Sequence, residues 1–253
     1  MATFGVVTHP VIPLREEAAH KSQMVSQLLF GEAVEVLQSL EEWLYVKNIA
    51  DSYLGWMERK QLTVLEAAEF EQWLAVKKSV VAFPFAAIER NGDRTPLVIP
   101  AGTEIAESNL FAVGDCTFSH LLNFPPNRAL SEIALQFLNA PYLWGGKTIF
   151  GFDCSGFVQI VFKIAGTTLP RDAFQQAELG DVVDFLQEVM PGDLAFFHNA
   201  EERITHVGIL LSPTEIIHCS GSVRIDNIDH QGIFNQALGK YTHPLRVIKR
   251  LRS

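Results

Sequence analysis

Gly145-Gly146-Lys147-Thr148-Ile149-Phe150-Gly151-Phe152-Asp153-Cys154-Ser155-Gly156-Phe157 sets a cysteine between a glycine-bearing loop and an amphipathic run. Phe157, Val158, Val161 and Phe162 recur with helical spacing, and Gly166 follows them. The pattern predicts a helix over residues 154–165 that opens on the cysteine, with Asp153 as N-cap and Gly166 in the C-terminal cap. The loop then delivers the thiol to a first turn with unpaired N–H groups and about half a unit of positive charge, which favour thiolate and can hold an oxyanion. A cysteine alone is more often a small core hydrophobe than a nucleophile, so a base elsewhere must support this reading.

That base is sought downstream, where Leu194 to His198, Ile204 to Leu211 and Glu215 to Cys219 read as short strands separated by turn residues. His206 lies inside the otherwise apolar run Thr205-His206-Val207-Gly208-Ile209-Leu210. A single strand histidine is ordinarily a core residue satisfied by a carbonyl, but His218 alters that balance. If Ser212-Pro213-Thr214 is a three-residue hairpin loop, Leu211 pairs with Glu215, and His206 and His218 share one face as diagonal neighbours. A loop one residue shorter or longer, without a compensating bulge, separates them. In this reading Cys154 is the nucleophile, His206 the base and His218 the residue that orients it.

A Cys-His-His zinc site is the rival use of the same residues, but it lacks a close-spaced ligand pair, and no metal or cofactor is expected. Cys116 and Cys219 lack a glycine loop or helix start and read as packing residues. Three cysteines in so long a chain do not form a disulfide framework.

Upstream, Asn123-Phe124-Pro125-Pro126-Asn127 breaks any regular element, and a new domain is expected over 125–253. Asn127 can cap a helix over residues 129–138, with Leu130, Ile133, Ala134, Phe137 and Leu138 on one face. Helices followed by an antiparallel sheet make this an α+β domain. Residues 1–124 are strand-rich, with alternations such as Ala33-Val34-Glu35-Val36-Leu37, and two small β-barrels over 1–66 and 67–124 fit them. Residues 16–30 have loose helical spacing without caps and fit a long loop as well. A fresh set of strands is expected from Trp73. The match between Trp43-Leu44-Tyr45-Val46-Lys47 and Trp73-Leu74-Ala75-Val76-Lys77 carries little weight as a repeat, because common strand residues produce such matches by chance.

The 253 residues are 48% hydrophobic, enough for more than one core. A net charge of -9 and the lack of a basic run exclude a nucleic-acid or anionic-membrane surface. No apolar stretch reaches the roughly 20 residues a membrane span needs. Charges at Arg15, Glu16 and Glu17 precede any sustained apolar run, so no secretory leader is visible and a cytoplasmic location is expected.

These residues resemble the NlpC-type cell-wall cysteine peptidases over about residues 128 to 235. The markers are Pro141-Tyr142-Leu143-Trp144-Gly145-Gly146, Asp153-Cys154-Ser155-Gly156-Phe157, Leu169-Pro170-Arg171-Asp172, Pro191-Gly192-Asp193-Leu194, His206-Val207-Gly208 and Ile217-His218. The resemblance implies a papain-like fold and carries nucleophile, base and orienting residue onto Cys154, His206 and His218. Gly31-Glu32-Ala33-Val34, Trp43-Leu44-Tyr45-Val46 and Tyr53-x-Gly55-Trp56 are similar to a subgroup in which bacterial SH3-like barrels precede the catalytic domain.

That subgroup implies γ-D-glutamyl-L-diamino acid endopeptidase activity on peptidoglycan-derived peptides with a free N-terminal L-alanine. It implies an amine site at Asp153 and Ser155, with Tyr53 and Glu17 contributed by the first barrel. Tyr142 and Trp144 are expected near the cleft, with the Tyr142 hydroxyl available to a tetrahedral intermediate. Phe174 stands where a small hydroxyl residue is expected, which puts the amine-end pocket in question. An amidase or acyltransferase of related fold, and a peptide-binding protein with vestigial residues, are the alternatives.

Overall fold

Short alternations of apolar and polar residues build most of the N-terminal half. The computed structural model describes residues 2–92, 95–124 and 128–251. Its first sheet contains β1 (Thr3–Val7), β2 (Val11–Arg15), β3 (Met24–Leu29), β4 (Ala33–Ser39), β5 (Trp43–Asn48), β6 (Leu54–Glu58) and β7 (Leu62–Leu65). They run antiparallel in the order β3-β2-β6-β5-β4-β1-β7. Helix α1 (Ala67–Ala75) follows, then β8 (Lys78–Val80), β9 (Phe85–Arg90), β10 (Pro96–Pro100), β11 (Glu104–Ala106), β12 (Leu110–Val113) and β13 (Cys116–Ser119). Of these, β10-β9-β13-β12 make one sheet and β11-β8 another.

Three local expectations change here. Residues 16–30 hold no helix: an exposed loop leads into β3, whose Leu28 and Leu29 are buried against the first sheet's core. Trp73 does not start a strand. It lies on α1, whose Phe70 and Trp73 face inward, and its indole Nε1 donates to the Gly31 carbonyl at 3.0 Å. The two W-L-x-V-K pentads therefore fold differently, one as β5 and one as the end of a helix, because tertiary burial overrides such short patterns. One buried cluster also joins Val6, Phe30 and Leu65 of the first part to Ile88, Ile99 and Phe118 of the second. The first sheet keeps a core of its own around Leu14, Val46 and Met57, and this second cluster is shared between the two parts.

The chain divides into compact units between Pro126 and Asn127. The expected cap at Asn127 lies outside the described residues. In the C-terminal unit α2 (Leu130–Leu135) is shorter than the apolar pattern suggests, since a turn ends it and Asn139 adopts a left-handed φ of 68°. Next come β14 (Lys147–Thr148), β15 (Gly151–Phe152), α3 (Cys154–Ile164) and α4 (Ala173–Gln176). The strands that follow are β16 (Asp181–Val182), β17 (Leu194–His198), β18 (Ile204–Ser212), β19 (Glu215–Ser220), β20 (Ser222–Asp229), β21 (Gly232–Asn235) and β22 (Lys240–Arg250).

These strands form a sheet in the order β16-β22-β17-β18-β19-β20-β21, and a β21–β22 pairing closes six of them on themselves. Helix α3 buries nearly its whole length and lies against β18 and β19, with Phe137, Phe152 and Phe157 meeting edge to face beside it. Few helices packed on antiparallel strands make the unit α+β.

Candidate active site

Cys154 is the first residue of α3. Asp153 caps that helix as its sequence position predicts: its Oδ1 accepts from the Gly156 amide at 2.7 Å. Of the glycines ahead of it, Gly145 takes a left-handed φ of 75°, and Gly146 allows close approach, since a Cβ there would fall 2.2 Å from the Gly151 carbonyl oxygen. A Cβ on Gly156 would fall 2.2 Å from the Gly146 carbonyl oxygen, so loop and helix start are pressed together.

Opposite Cys154 runs β18. Its register with β19 extends only to Gly208↔His218, and before that point the Thr205 carbonyl lies 3.9 Å from the Cys154 Sγ while the Val207 amide also faces the thiol. His206 is the residue between them. The hairpin loop is one residue shorter than expected, with Ser212 paired to Glu215, but a bulge between Leu210 and Ser212 restores the register beyond it. His206 and His218 therefore share a face, and His206 Nε2 lies 2.8 Å from His218 Nδ1.

A carboxylate that the sequence reading missed completes this chain. His218 Nε2 donates to Asp226 Oδ2 at 3.0 Å, and Arg224 donates to Asp226 Oδ1 at 2.7 Å. In the tautomer that donates Nε2–H to Asp226, His218 offers Nδ1 as an acceptor for the Nε2 proton of His206. The Nδ1 of His206 is then left unprotonated, as a base requires. Burial pushes Asp226 up, but the hydrogen bonds and charges of His218 and Arg224 outweigh it and hold the carboxyl below its usual range.

On the helix side, a buried guanidinium sits where the sequence gave only a motif residue. Arg171 is 1% exposed; it donates to Asp153 Oδ1 at 3.0 Å, to Asp153 Oδ2 at 2.5 Å and to Ser155 Oγ at 2.9 Å. The Gly145 amide adds a further bond to Asp153 Oδ2 at 2.9 Å. Asp153 and Ser155 are thus together, buried and already engaged.

The helix dipole alone would lower the Cys154 thiol, but the balance goes the other way. Burial first, then the Asp153 charge, push it up to about 12 against the Val207 and Ser155 amides and Arg171. Burial, with His218 and His243, holds His206 well below 6.5. Both shifts favour neutral thiol and neutral imidazole in the free site.

Tyr142 is 37% exposed; burial and then the Cys154 and Asp153 charges push its phenol up to about 12, so it remains a neutral donor. Trp144 is exposed, and Phe174 stands exposed on α4, whose Gln176 donates to the Ser155 carbonyl at 3.1 Å. Cys219 is fully buried with its Sγ donating to the Phe152 carbonyl, as a packing residue would be, whereas Cys116 is half-buried and takes a contact from Arg90. Glu17 and Tyr53 belong to the N-terminal unit. Glu17 is on the exposed loop before β3, its amide bonded to Ser22 Oγ, and Tyr53 packs half-buried on the first sheet's core.

Arg171, Asp226 and His243 were not identified as site residues. For Asp226 a signal existed: Gly221 turns β19 tightly into β20 with Ser220 opposite Ser222, so His218 faces Arg224 and Asp226 falls two residues on, on the same face.

A thiol at a helix start, opposite a hydrogen-bonded histidine chain on an antiparallel sheet, is the apparatus of a cysteine hydrolase. Residues 139–241 match the NlpC/P60 family, and residues 14–62 match the bacterial dipeptidyl-peptidase Sh3 domain. The chain is 32% identical to the gamma-D-glutamyl-L-lysine dipeptidyl-peptidase of Bacillus subtilis over 216 residues, covering 76% of this chain and 71% of the relative. It is 28% identical to the Bacillus cereus protein of the same name over 251 residues, covering 86% and 74%. A solved NlpC/P60 family protein from Bacillus cereus superposes with a TM-score of 0.82 at 21% identity, over 98% of this chain and 99% of that one, a likeness of fold. The chain belongs to the NlpC/P60 family and is a cysteine peptidase.

Proposed function

We propose that this peptidase hydrolyses the γ-D-glutamyl-L-diamino acid bond of peptidoglycan-derived peptides that begin with a free L-alanine. The observation that carries the catalytic part is the 2.8 Å His206–His218 contact behind Cys154, with Asp226 fixing its proton arrangement. The bond specificity rests on the names of the relatives.

In the proposed reaction His206 Nδ1 takes the thiol proton as Cys154 Sγ attacks the γ-carbonyl of D-glutamate. The resulting oxyanion is stabilised by the Cys154 amide at the start of α3 and by the Tyr142 hydroxyl. His206 gives its proton to the departing amine of the diamino acid, which leaves a thioester. Water, deprotonated by His206, hydrolyses that thioester and restores the thiol.

For the L-alanine ammonium, Asp153 and Ser155 supply acceptors, but Arg171 already neutralises much of the Asp153 charge. Glu17 and Tyr53 are candidates for this recognition only through the resemblance to the subgroup. A free-amine requirement suits peptides released from the wall, and we place the activity in their recycling.

The test is direct: purified protein should release L-alanyl-γ-D-glutamate from L-Ala-γ-D-Glu-L-Lys or its diaminopimelate counterpart, and Cys154→Ala should abolish release. Cleavage that persists in the variant sinks the mechanism. Equal rates on free and N-acetylated peptides would refute amine recognition.

A further inference from the structure

His243, on β22, has no role in the reaction described above, yet its ring lies face to face with His206, centroids 4.2 Å apart and planes 29° from parallel. It also meets His218 edge-on at 5.7 Å and Phe197 at 6.1 Å. Its placement is set by the sheet: Ile233 of β21 pairs with His243 on one side, and β22 is bulged where it pairs with β17, between Val247 and Leu245. Thr242 Oγ1 lies 2.8 Å from His243 Nδ1 and fixes the direction of that ring.

The hydrogen bond from His206 to His218 holds one edge of the base, and Phe197 meets its ring at 48° with centroids 5.8 Å apart, so tilt about that bond is limited further by what stacks on the face. A second ring on its face removes the tilt, and it also keeps water from that face. We infer that His243 is a positioning residue for the NlpC/P60 reaction, a stacked wall that holds the base His206 at its working angle and keeps its face dry. The inference rests on the role of His206 as base, not on the identity of the peptide substrate.

The groups facing His243 are His206 on β18, His218 on β19 and Asp226 on β20, the last paired with Arg224. Burial and His218 bring His243 down to about 4, with Asp226 opposing, so near neutral pH the wall is an uncharged aromatic ring. Phenylalanine can replace such a ring, whereas alanine cannot. In His243→Ala, water reaches the face of His206 and stabilises its imidazolium, so the His206 midpoint rises.

The experiment compares the full-length wild type with His243→Ala and His243→Phe. It reads kcat and KM on L-Ala-γ-D-Glu-L-Lys, and the His206 titration midpoint by NMR of ring-labelled histidine. His243→Ala should lose on the order of tenfold in kcat with KM little changed, and its His206 midpoint should rise by about half a pH unit or more. His243→Phe should restore both. If the alanine variant does not fold, His243→Gln, which keeps a polar side chain without a ring, carries the same expectation.

An alanine variant with kcat within about twofold of wild type, an unmoved His206 midpoint, or a loss that phenylalanine fails to restore would each overturn the assignment. The midpoint is read without substrate. Should the wild type fail to cleave the tripeptide, the substrate reading falls alone, and the rate of Cys154 alkylation by iodoacetamide replaces kcat in this comparison.

Discussion

On the helix side of Cys154 a buried guanidinium meets a buried carboxylate, Arg171 on Asp153, with backbone amides filling the remaining acceptor sites. On the sheet side the buried groups at the centre, His206 and His218, are joined by one hydrogen bond, and the nearest full charges, Asp226 and Arg224, lie one step further out. The first cluster is centred on an ion pair and the second on imidazoles, the side chain suited to proton transfer near neutral pH. The first is a buried ion pair, whereas burial keeps the His206 imidazole of the second neutral, a form that can accept and return a proton. The first cluster is built to hold the nucleophile's helix in place. The second is built to titrate.

His206→Ala should break the sheet-side cluster most severely. Its kcat should fall by roughly 10³-fold, the scale of a lost general base, while the melting temperature moves little; a loss under tenfold would deny His206 that role. Arg171→Met should show the opposite profile. It leaves Asp153 buried without its partner and should cost about 3–5 kcal/mol of stability, with Arg171→Met/Asp153→Asn recovering part of that in denaturant titrations. An unchanged unfolding midpoint in Arg171→Met would mean the two clusters do not differ as described.

Asp226→Asn tests the outer end of the histidine chain. It weakens the hold on the His218 Nε2 proton and should lower kcat roughly tenfold, the effect of losing one hydrogen bond to a charged group, with KM preserved. The pH dependence separates the clusters with a smaller effect. His206 and His243 are held below 6.5 in the folded chain, so below that pH the unfolded chain binds more protons. The melting temperature should therefore fall as pH drops from about 6.5 toward 4, and His243→Phe should lessen the slope. The same shifts, with the raised Cys154 thiol, predict that alkylation of Cys154 by iodoacetamide climbs steadily with pH through neutrality. A plateau at acid pH would show a preformed thiolate–imidazolium pair instead.

Much of this site was legible before any coordinates. Helix α3 follows its apolar spacing from Cys154 to the turn at Gly166, because a buried amphipathic run has few other solutions. The two histidines were brought to one face by counting through a hairpin, and the count survived an error: the loop is shorter than assumed, and a bulge at Leu211 compensates. Trp73 was misread, and the strand at Met24–Leu29 was missed beyond a loop that the sequence allowed, because short apolar patterns fit helix and strand alike until the packing partners are known. Arg171 was a motif marker without a role, since charged residues are seldom fully buried, and only the fold shows it 1% exposed.

The local sequence was sufficient to place Cys154 at a helix start capped by Asp153 and to bring His206 and His218 to one face, because each depends on near neighbours: a glycine loop, a helix start, a hairpin. Tertiary structure alone decided what those groups feel. Helix burial and Asp153 raise a thiol that the helix dipole would lower, Asp226 selects the His218 tautomer from the next strand, and β22 carries His243 onto His206 across 37 residues of chain. Electrostatics and ring stacking act through space over a few ångströms, and residues distant in sequence become neighbours only when the strands pair.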